Sequence, residues 1–261
     1  MLKIRGMNKS FNAGTENEAN IFCNFNLDIN ECETTVILGA NGCGKSTLFN
    51  IISGVMPCES GEISLDGKKL DGLKEHQRSA HIGRVHQNPS LGVSPSLTIL
   101  ENMSLSDKKC SRFGFRKLVK KDQINRYTEM LRTLDLRLEN KLNTQVKFLS
   151  GGQRQSLSLL MATMKRPDLL LLDEHTAALD PKTSKVVMEK TMELVRKEKI
   201  TTLMISHNLR DAIKYSDRII MLDRGKVILD TRSNLISESE LIKIYNRQNL
   251  LDSDQELEQA V

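Results

Sequence analysis

The chain has 261 residues, of which 39% are hydrophobic and 27% are charged, and its formal net charge at pH 7 is +5. This size and balance predict a chain that folds as one large domain or as two closely joined lobes. An aromatic content of 4%, with no Trp, argues against a surface that stacks nucleic-acid bases, so we expect no nucleic-acid partner.

The predicted elements begin with short strands, where apolar residues alternate with polar ones or form short buried runs. The predicted strands in the first third of the chain are Met1–Met7, Phe22–Ile29, Thr34–Leu38, Gly61–Leu65 and Ala80–His86. A helix is predicted at Ser46–Ile52, and Asp66-Gly67 is typical of a hairpin turn.

The segment from about 90 to 147 is helical and charged, with helices predicted at Thr98–Leu105 and Asp122–Leu134. The elements predicted after it are helix Gly151–Met164, strand Leu169–Asp173, helix Ser184–Lys197, strand Thr201–Ser206, helix Leu209–Ser216, and a hairpin of Arg218–Leu222 and Lys226–Leu229 around Arg224-Gly225. Strands that alternate with helices predict an α/β core with a largely parallel sheet.

The cysteines and the basic residues restrict the function only weakly. The five cysteines, at positions 23, 32, 43, 58 and 110, contain no Cys-x-x-Cys pair, which argues against zinc, and their odd number suits a reducing cytosol. A basic cluster is compatible with a solvated face, or with a surface near anionic lipid headgroups or an acidic partner. This cluster comprises Lys108, Lys109, Arg112, Arg116, Lys117, Lys120 and Lys121.

Apolar runs in this chain are too short to cross a membrane. The longest ones, Leu157–Met164 and Leu169–Leu172, fall far below the roughly 20 residues that a spanning helix needs. The amino terminus also lacks the long apolar core of a signal peptide. We therefore expect any transport role to require separate membrane subunits.

The segment Gly39–Thr47 matches the phosphate-loop pattern G-x-x-x-x-G-K-[ST], with a predicted strand before it and a predicted helix after it. Glycines let the backbone wrap around phosphates, and the helix adds its positive amino-terminal end. Lys45 is expected to reach the β- and γ-phosphates, Ser46 to bind Mg²⁺, and Thr47 to contact the α-phosphate. The nucleotide-binding residues assigned here are Gly39, Asn41, Gly42, Gly44, Lys45, Ser46 and Thr47. Cys43, inside the loop, is interpreted as a small space-filling side chain rather than a redox sensor.

Two acids end the apolar strand Leu169–Leu172. Such a strand delivers its last residues to the crevice where ligands bind in open α/β sheets. We expect Asp173 to hold Mg²⁺ through water and Glu174 to act as the general base for the attacking water. The alternative is a strand that merely ends in solvated acids.

Leu149-Ser150-Gly151-Gly152-Gln153 lies between these two motifs, and here the chain resembles the ABC-type ATPases, whose signature is LSGGQ. The glycine pair opens a helix, so its backbone N–H groups form a second anion site. The resemblance implies that Ser150, Gly151, Gly152 and Gln153 cap the γ-phosphate of an ATP held by a second copy, in a head-to-tail dimer.

Further residues match this family one by one. Gln87 matches the Q-loop glutamine, which would sense Mg²⁺ and the attacking water, and His207 matches the switch histidine, which would contact the γ-phosphate. Asp180 matches the D-loop, which contacts the opposite monomer, and could also cap a helix before Pro181. Phe11 stands where a ring would stack on adenine, with an ordinary core Phe as the alternative.

One departure from the family pattern follows the predicted base. Many relatives have Pro after the catalytic Glu, whereas this chain has His175. This residue could alter the stiffness of the loop or the position of the water, or it could simply mark a subgroup. The string DEHTAALDP is similar to that of a subgroup of bacterial importer ATPases, some of which are associated with aromatic amino acid uptake.

The resemblance runs from Leu2 to about Asp230 and implies the architecture. We expect a P-loop NTPase core with a mostly parallel sheet, an N-terminal antiparallel β subdomain, and an α-helical subdomain inserted at about 90–165. A single ATPase domain would cover 1–240, followed by a C-terminal helix and acidic tail at 241–261.

The resemblance also implies a function. The chain would bind ATP and Mg²⁺ and hydrolyse ATP to energise a membrane transporter, as an importer subunit with a separate permease and an extracytoplasmic substrate-binding protein. Amino acids are a candidate cargo. The chain would be cytoplasmic, held at the inner face of the membrane by the permease. The alternatives are an exporter ATPase, or a soluble ABC-type ATPase of iron–sulfur cofactor assembly.

Overall fold

The computed structural model describes residues 1–109 and 118–247. Its strands are β1 (Leu2–Phe11), β2 (Ala19–Ile29), β3 (Thr34–Leu38), β4 (Ser60–Leu65), β5 (Lys68–Lys69), β6 (Ile82–Val85), β7 (Leu169–Asp173), β8 (Thr201–Ile205), β9 (Arg218–Asp223) and β10 (Lys226–Arg232). Its helices are α1 (Lys45–Ser53), α2 (Glu75–Arg78), α3 (Ile99–Asp107), α4 (Ile124–Arg132), α5 (Gly151–Thr163), α6 (Pro181–Glu198), α7 (Leu209–Tyr215) and a further helix, α8, at 238–247.

These elements form two compact units. Among the described residues, the first comprises Met1–Gly72 together with 201–247, and the second comprises Leu73–Ile200. The helical insertion expected at about 90–165 lies within the second unit.

The first unit contains an antiparallel sheet in the order β2-β1-β4-β5 and a group of strands in the order β10-β9-β3-β8. In that group β3 runs parallel to both β8 and β9, and only β10 is antiparallel. Every residue of β3 and of β8 is buried, as expected for parallel strands covered on both faces. The α/β core and the N-terminal antiparallel sheet are confirmed.

The second unit joins a parallel strand pair, β6 and β7, to a helical region with its own core. Apolar side chains of α3, α4 and α5 form this core, and Ile99, Met103, Leu131 and Leu157 are fully buried in it. Helix α6 belongs to the same unit. Its first residue, Pro181, suits the first turn, where an N–H would lack an intrahelical partner.

Both predicted hairpin turns are present. Asp66 and Gly67 have φ values of 50° and 76°, and Arg224 and Gly225 have 43° and 73°. Two consecutive left-handed residues match the right-handed twist of the strands that they join.

The structure differs from the sequence predictions mainly at element ends. The strand predicted at Ala80–His86 is shorter, because residues 79–81 close turns onto the short helix α2, which was not predicted. The helix predicted at Asp122–Leu134 begins as a 3-10 turn at Lys121–Gln123. The cluster residues Arg112, Arg116 and Lys117, and residues 248–261 of the predicted C-terminal helix and acidic tail, lie outside the described residues. Within residues 1–109 and 118–247, no helix has the length and apolar character to cross a bilayer.

Candidate active site

The predicted site residues divide between the two units. The first unit holds Phe11, the loop Gly39–Thr47 and His207, and the second holds Gln87, Ser150–Gln153, Asp173, Glu174 and Asp180.

The phosphate loop joins β3 to α1 through glycines in conformations that other residues avoid. Gly39, Gly42 and Gly44 have φ values of 149°, 81° and 105°. A Cβ atom on Gly39 would lie 2.3 Å from the carbonyl oxygen of Leu222, and one on Gly44 would lie 2.9 Å from the Phe22 ring. The loop therefore requires glycine for its backbone angles and for its close packing.

Lys45 holds its charge against the inside of this loop. The side chain is 6% exposed, and Nζ donates to the carbonyl oxygens of Gly39 at 2.8 Å and Ala40 at 2.7 Å. Helix α1 has no acidic residue in its first turn, so the ammonium and the helix amino terminus both favour an anion. Ser46 is exposed and Thr47 half-buried, beside the same helix end.

Cys43 packs within the loop, in agreement with a space-filling role. The side chain is 4% exposed, and a Cβ on Gly39 would come within 2.7 Å of its sulfur. Burial raises the pKa of the Cys43 thiol, and the nearby Lys45 charge opposes this only in part. The neutral thiol is the unreactive form.

His207 and the phosphate loop leave the same edge of two neighbouring parallel strands. Ile37 of β3 pairs with Ile205 of β8, and the chain reaches Gly39 and His207 two residues later on each side. Asn208 then caps α7 by accepting hydrogen bonds from two backbone N–H groups. The register alone brings the exposed His207 to the side of the sheet where phosphates would bind.

Phe11 ends β1 and is half-buried, so it does not belong to the buried core of the unit. The ammonium of Lys9 lies 5.3 Å from the centroid of its ring, within the range of a cation–π contact. The ring is therefore partly accessible, and its stacking on adenine stays a prediction.

In the second unit, Gln87 and Glu174 leave the same edge of the β6–β7 pair. Val85 pairs with Leu172 in parallel register, so the residues two positions further on lie opposite each other. The amide nitrogen of Gln87 donates to Glu174 Oε2 at 3.1 Å. Two of the three predicted catalytic side chains are therefore in direct contact.

Asp173 forms an ion pair that the sequence predictions missed. Arg84 Nη2 lies 2.9 Å from Asp173 Oδ2, and the two side chains are only 13% and 14% exposed. Partners so little exposed depend on each other, because the loss of one leaves a desolvated charge. An arginine inside a strand whose other residues are buried is the signal that could have revealed the pair.

The signature Ser150–Gln153 forms the amino-terminal end of α5. Ser150 Oγ accepts the N–H of Gln153 at 3.2 Å, and the Gln153 side chain accepts the N–H of Ser150, which makes a capping box. The Ser150 hydroxyl accepts within the helix, so its own hydrogen is available to an anion. A Cβ on Gly152 would lie 2.3 Å from Thr183 Cγ2, so the second glycine also lets α5 approach α6 closely.

Asp180 caps α6, in agreement with the prediction that it could cap a helix. Its Oδ1 accepts the backbone N–H of Thr183 at 3.1 Å. Hydrogen bonds from Thr183 lower the pKa of the Asp180 carboxyl, which keeps it ionised at neutral pH. This exposed carboxylate lies directly before Pro181, the first residue of α6.

His175 is buried directly after Glu174. The side chain is 2% exposed, and its Nε2 lies 3.3 Å from the hydroxyl oxygen of Thr191 in α6. Burial lowers the pKa of His175 to about 4, so the imidazole is neutral at pH 7. The departure from the family pattern is therefore an internal packing contact and not an exposed side chain.

Comparison with known proteins now identifies the family. The profile described as ABC transporter matches residues 22–177. This chain belongs to the ABC transporter family. It is an ATP-binding cassette, and it is an ATPase.

The relatives of this cassette include several transport proteins. It is 47% identical over 232 residues to a tyrosine transport ATP-binding protein of Clostridioides difficile, covering 89% of this chain and 92% of that protein. It is 35% identical to a spermidine/putrescine import ATP-binding protein of Haemophilus influenzae, of whose length it covers 57%. A dimeric ATP-binding cassette solved in a post-hydrolysis state with ADP and Pi aligns with a TM-score of 0.76 at 30% identity, over 89% of this chain and 99% of that chain.

Proposed function

We propose that this cassette is the ATPase subunit of an importer, that it works as a head-to-tail dimer, and that its cargo is an amino acid of the tyrosine type. The observation that carries the proposal is the 47% identity to a tyrosine transport ATP-binding protein, almost all of whose length this chain covers. Two relatives whose names specify import, of spermidine/putrescine and of phosphonates, are 35% and 31% identical.

The first unit would bind the triphosphate. The loop amides and the amino terminus of α1 supply partial positive charge, and Lys45 would exchange its bonds to Gly39 and Ala40 for bonds to the β- and γ-phosphates. His207 leaves the same strand edge and would contact the γ-phosphate. The half-buried ring of Phe11 would stack on adenine.

Oxygen donors for Mg²⁺ are present in the predicted residues. The amide nitrogen of Gln87 donates a hydrogen bond to Glu174, so the amide oxygen of Gln87 is the atom suited to a cation. The ion pair of Asp173 with Arg84 uses Oδ2, and Oδ1 is the other carboxylate oxygen. Among the described residues, no group of three or more His, Cys, Asp and Glu could hold a metal ion. Mg²⁺ binds to few protein groups and retains waters and phosphate oxygens.

On the family membership, we propose Ser46 as the Mg²⁺ ligand from the first unit and Gln87 and Asp173 as the Mg²⁺ ligands from the second. When bound, Mg²⁺ would neutralise charge on the β- and γ-phosphates. Glu174 would take the proton of the attacking water, and Gln87, already bonded to the Glu174 carboxylate, would help to orient that water.

A second copy would complete each ATP site. The hydroxyl of Ser150 and the N–H groups of Gly151 and Gly152 lie at a capped helix amino terminus, which suits an incoming γ-phosphate. The dimeric cassettes among the similar structures support a paired arrangement. Permease subunits would hold the pair at the inner face of the membrane, and an extracytoplasmic binding protein would deliver the cargo.

Glu174→Gln tests the mechanism. The variant keeps the size of the side chain but removes the base, so we expect kcat to fall at least about 100-fold while ATP still binds. Light scattering with Mg²⁺ and ATP should then show a stable dimer. Turnover at the wild-type rate would refute the base assignment.

Uptake in cells that encode this chain tests the cargo. We expect the Glu174→Gln allele to abolish uptake of labelled tyrosine and to leave uptake of labelled spermidine unchanged. Copurification of a permease with the tagged chain would separate a transporter from a soluble ATPase. Normal tyrosine uptake in the variant would rule out this cargo.

A further inference from the structure

His175, which directly follows the predicted base Glu174, is hydrogen-bonded to α6, a helix that starts seven residues after Glu174. His175 Nε2 lies 3.3 Å from Thr191 Oγ1, and both side chains are almost completely buried. Thr191 stands in the third turn of α6, well inside the helix. The bond therefore joins the loop that carries Glu174 to the middle of a rigid element.

The direction of this hydrogen bond follows from the fact that the Thr191 hydroxyl has only one hydrogen to donate. The Thr191 hydroxyl donates its single hydrogen to the carbonyl oxygen of Val187 at 2.7 Å. Its oxygen can then only accept, so His175 Nε2 must carry the hydrogen. The ring is thereby fixed in one tautomer and one orientation.

The backbone at Glu174 needs such a restraint. Its φ is 45°, in the left-handed region that residues other than Gly, Asn and Asp seldom occupy. The Glu174 carbonyl oxygen accepts the N–H of Ala177 at 2.9 Å, which closes a tight turn directly after β7. A disfavoured conformation at a functional residue persists only where neighbouring contacts enforce it.

The same helix holds the far end of the loop. Asp180 caps α6 through the N–H of Thr183, and Gly152 of the signature packs against the methyl group of Thr183. Both ends of the loop are thus attached to α6, by Asp180 at its first turn and by His175 through Thr191 at its third. The His175 end lies directly beside the base.

We propose that His175 is a positioning residue for Glu174, and that it acts through its hydrogen bond to Thr191. The proposal rests on the proposed function, in which Glu174 is the general base. His175 touches neither ATP nor the attacking water. It holds the Glu174 backbone in the left-handed conformation, so that the carboxylate stays against Gln87 and in place for the water.

Thr191→Val is the primary test, since it replaces the hydroxyl by a methyl group of nearly the same size. We expect kcat for ATP hydrolysis by the full chain to fall by about tenfold to 100-fold, because small misplacements of catalytic groups are costly. KM and the calorimetric Kd for ATP should stay within about twofold. The variant Thr191→Ser keeps the hydroxyl group and should therefore have most of the wild-type kcat.

A double variant and a matched control separate positioning from general damage. The combination of His175→Leu and Thr191→Val should lose no more activity than Thr191→Val alone, because both remove the same bond. Thr128→Val is the control: Thr128 in α4 also donates to the carbonyl four residues back, at 2.9 Å, and should leave kcat unchanged. Wild-type kcat in Thr191→Val, or an equal loss in Thr128→Val, would overturn the proposal.

Nitrogen-15 NMR of the histidines gives a readout that is independent of turnover. The chain has 5 histidines, and His175→Leu identifies the signal of His175. We expect a neutral ring protonated at Nε2, with slow exchange of that hydrogen in the wild type and faster exchange in Thr191→Val. A ring protonated at Nδ1 would contradict the bond.

Failure of this proposal can be told apart from failure of the proposed function. If Glu174→Gln turns over ATP normally, the base assignment is wrong and the positioning role is lost with it. If Glu174→Gln is inactive while Thr191→Val has wild-type kcat, the base assignment stands and only the role of His175 is refuted.

Discussion

The two units of this cassette hold their predicted site residues in place by different means. In the first unit the phosphate loop is built from backbone, with glycines at positive φ and a lysine bonded to loop carbonyls. In the second unit the acidic strand depends on paired side chains: Arg84 with Asp173, and Gln87 with Glu174.

This difference predicts how each unit should respond to substitution. A backbone cradle fails when a side chain is added to it, since the added atoms meet main chain that cannot move aside. A set of paired side chains fails when one partner is removed, and turnover should then suffer more than binding.

Gly39→Ala should have the largest effect. The new Cβ would meet the Leu222 carbonyl oxygen at 2.3 Å, at a φ of 149° that alanine disfavours. We expect unfolding free energy to fall by about 3 kcal/mol or more in urea denaturation, together with loss of ATP binding. Gly72→Ala, with φ of 75° and no atom within 4 Å, controls for backbone strain and should cost about 1 kcal/mol.

Lys45→Ala tests whether binding belongs to the first unit. Removal of a charge-assisted contact to phosphate should weaken ATP binding by about 100-fold, or roughly 2.7 kcal/mol. Isothermal titration calorimetry measures this directly, with Glu174→Gln as the matched variant that should keep its affinity. The contrast between the units fails if Lys45→Ala binds ATP normally, or if Glu174→Gln does not bind it.

The pH dependence of stability tests the buried histidine of the second unit. The folded-state pKa of His175, about 4, lies below its unfolded value near 6.5, so the folded state binds fewer protons. The contribution of the neutral His175 ring to the free energy of unfolding is therefore fully present above pH 6.5 and is lost as the pH falls from 6.5 to 4. At pH 5 the free energy of unfolding should have decreased by about 2 kcal/mol.

The measurement is the difference in unfolding free energy between the wild type and His175→Gln at several pH values. As the pH falls from 7 to 5, the unfolding free energy of the wild type should decrease more than that of His175→Gln. Burial also lowers the pKa of His86, so the variant retains a pH dependence of the same sign from that residue. Parallel pH curves for the two proteins would mean that His175 is not buried as a neutral ring.

Gly152→Ala should have the smallest effect. Its Cβ would approach Thr183 Cγ2 to 2.3 Å, whereas a Cβ on Gly151 would reach only the flexible end of Leu179, at 3.2 Å. We expect a loss of about 1 kcal/mol for Gly152→Ala, and about zero for Gly151→Ala, because alanine favours the helix. Thr183→Ser removes the offending methyl group and should restore the stability of Gly152→Ala.

Local patterns were sufficient for most of the fold. The bounds predicted for β3 and β7 agree residue for residue, because apolar runs flanked by polar residues or glycine define buried strands. The hairpin turns at Asp66-Gly67 and Arg224-Gly225 were also readable, since glycine in such a pair marks the left-handed conformation. Helix α2 was missed because four polar residues carry no periodic signal.

Spacing and glycine content are local properties of the chain, so the amino-acid sequence alone was enough to predict the phosphate loop Gly39–Thr47 and the strand that carries the acids. Which side chains meet became visible only in the folded chain. The parallel register of β6 and β7 places Gln87 against Glu174, and α6 reaches back to His175 across 16 residues. Such contacts depend on strand register and helix packing, which no short stretch of sequence encodes.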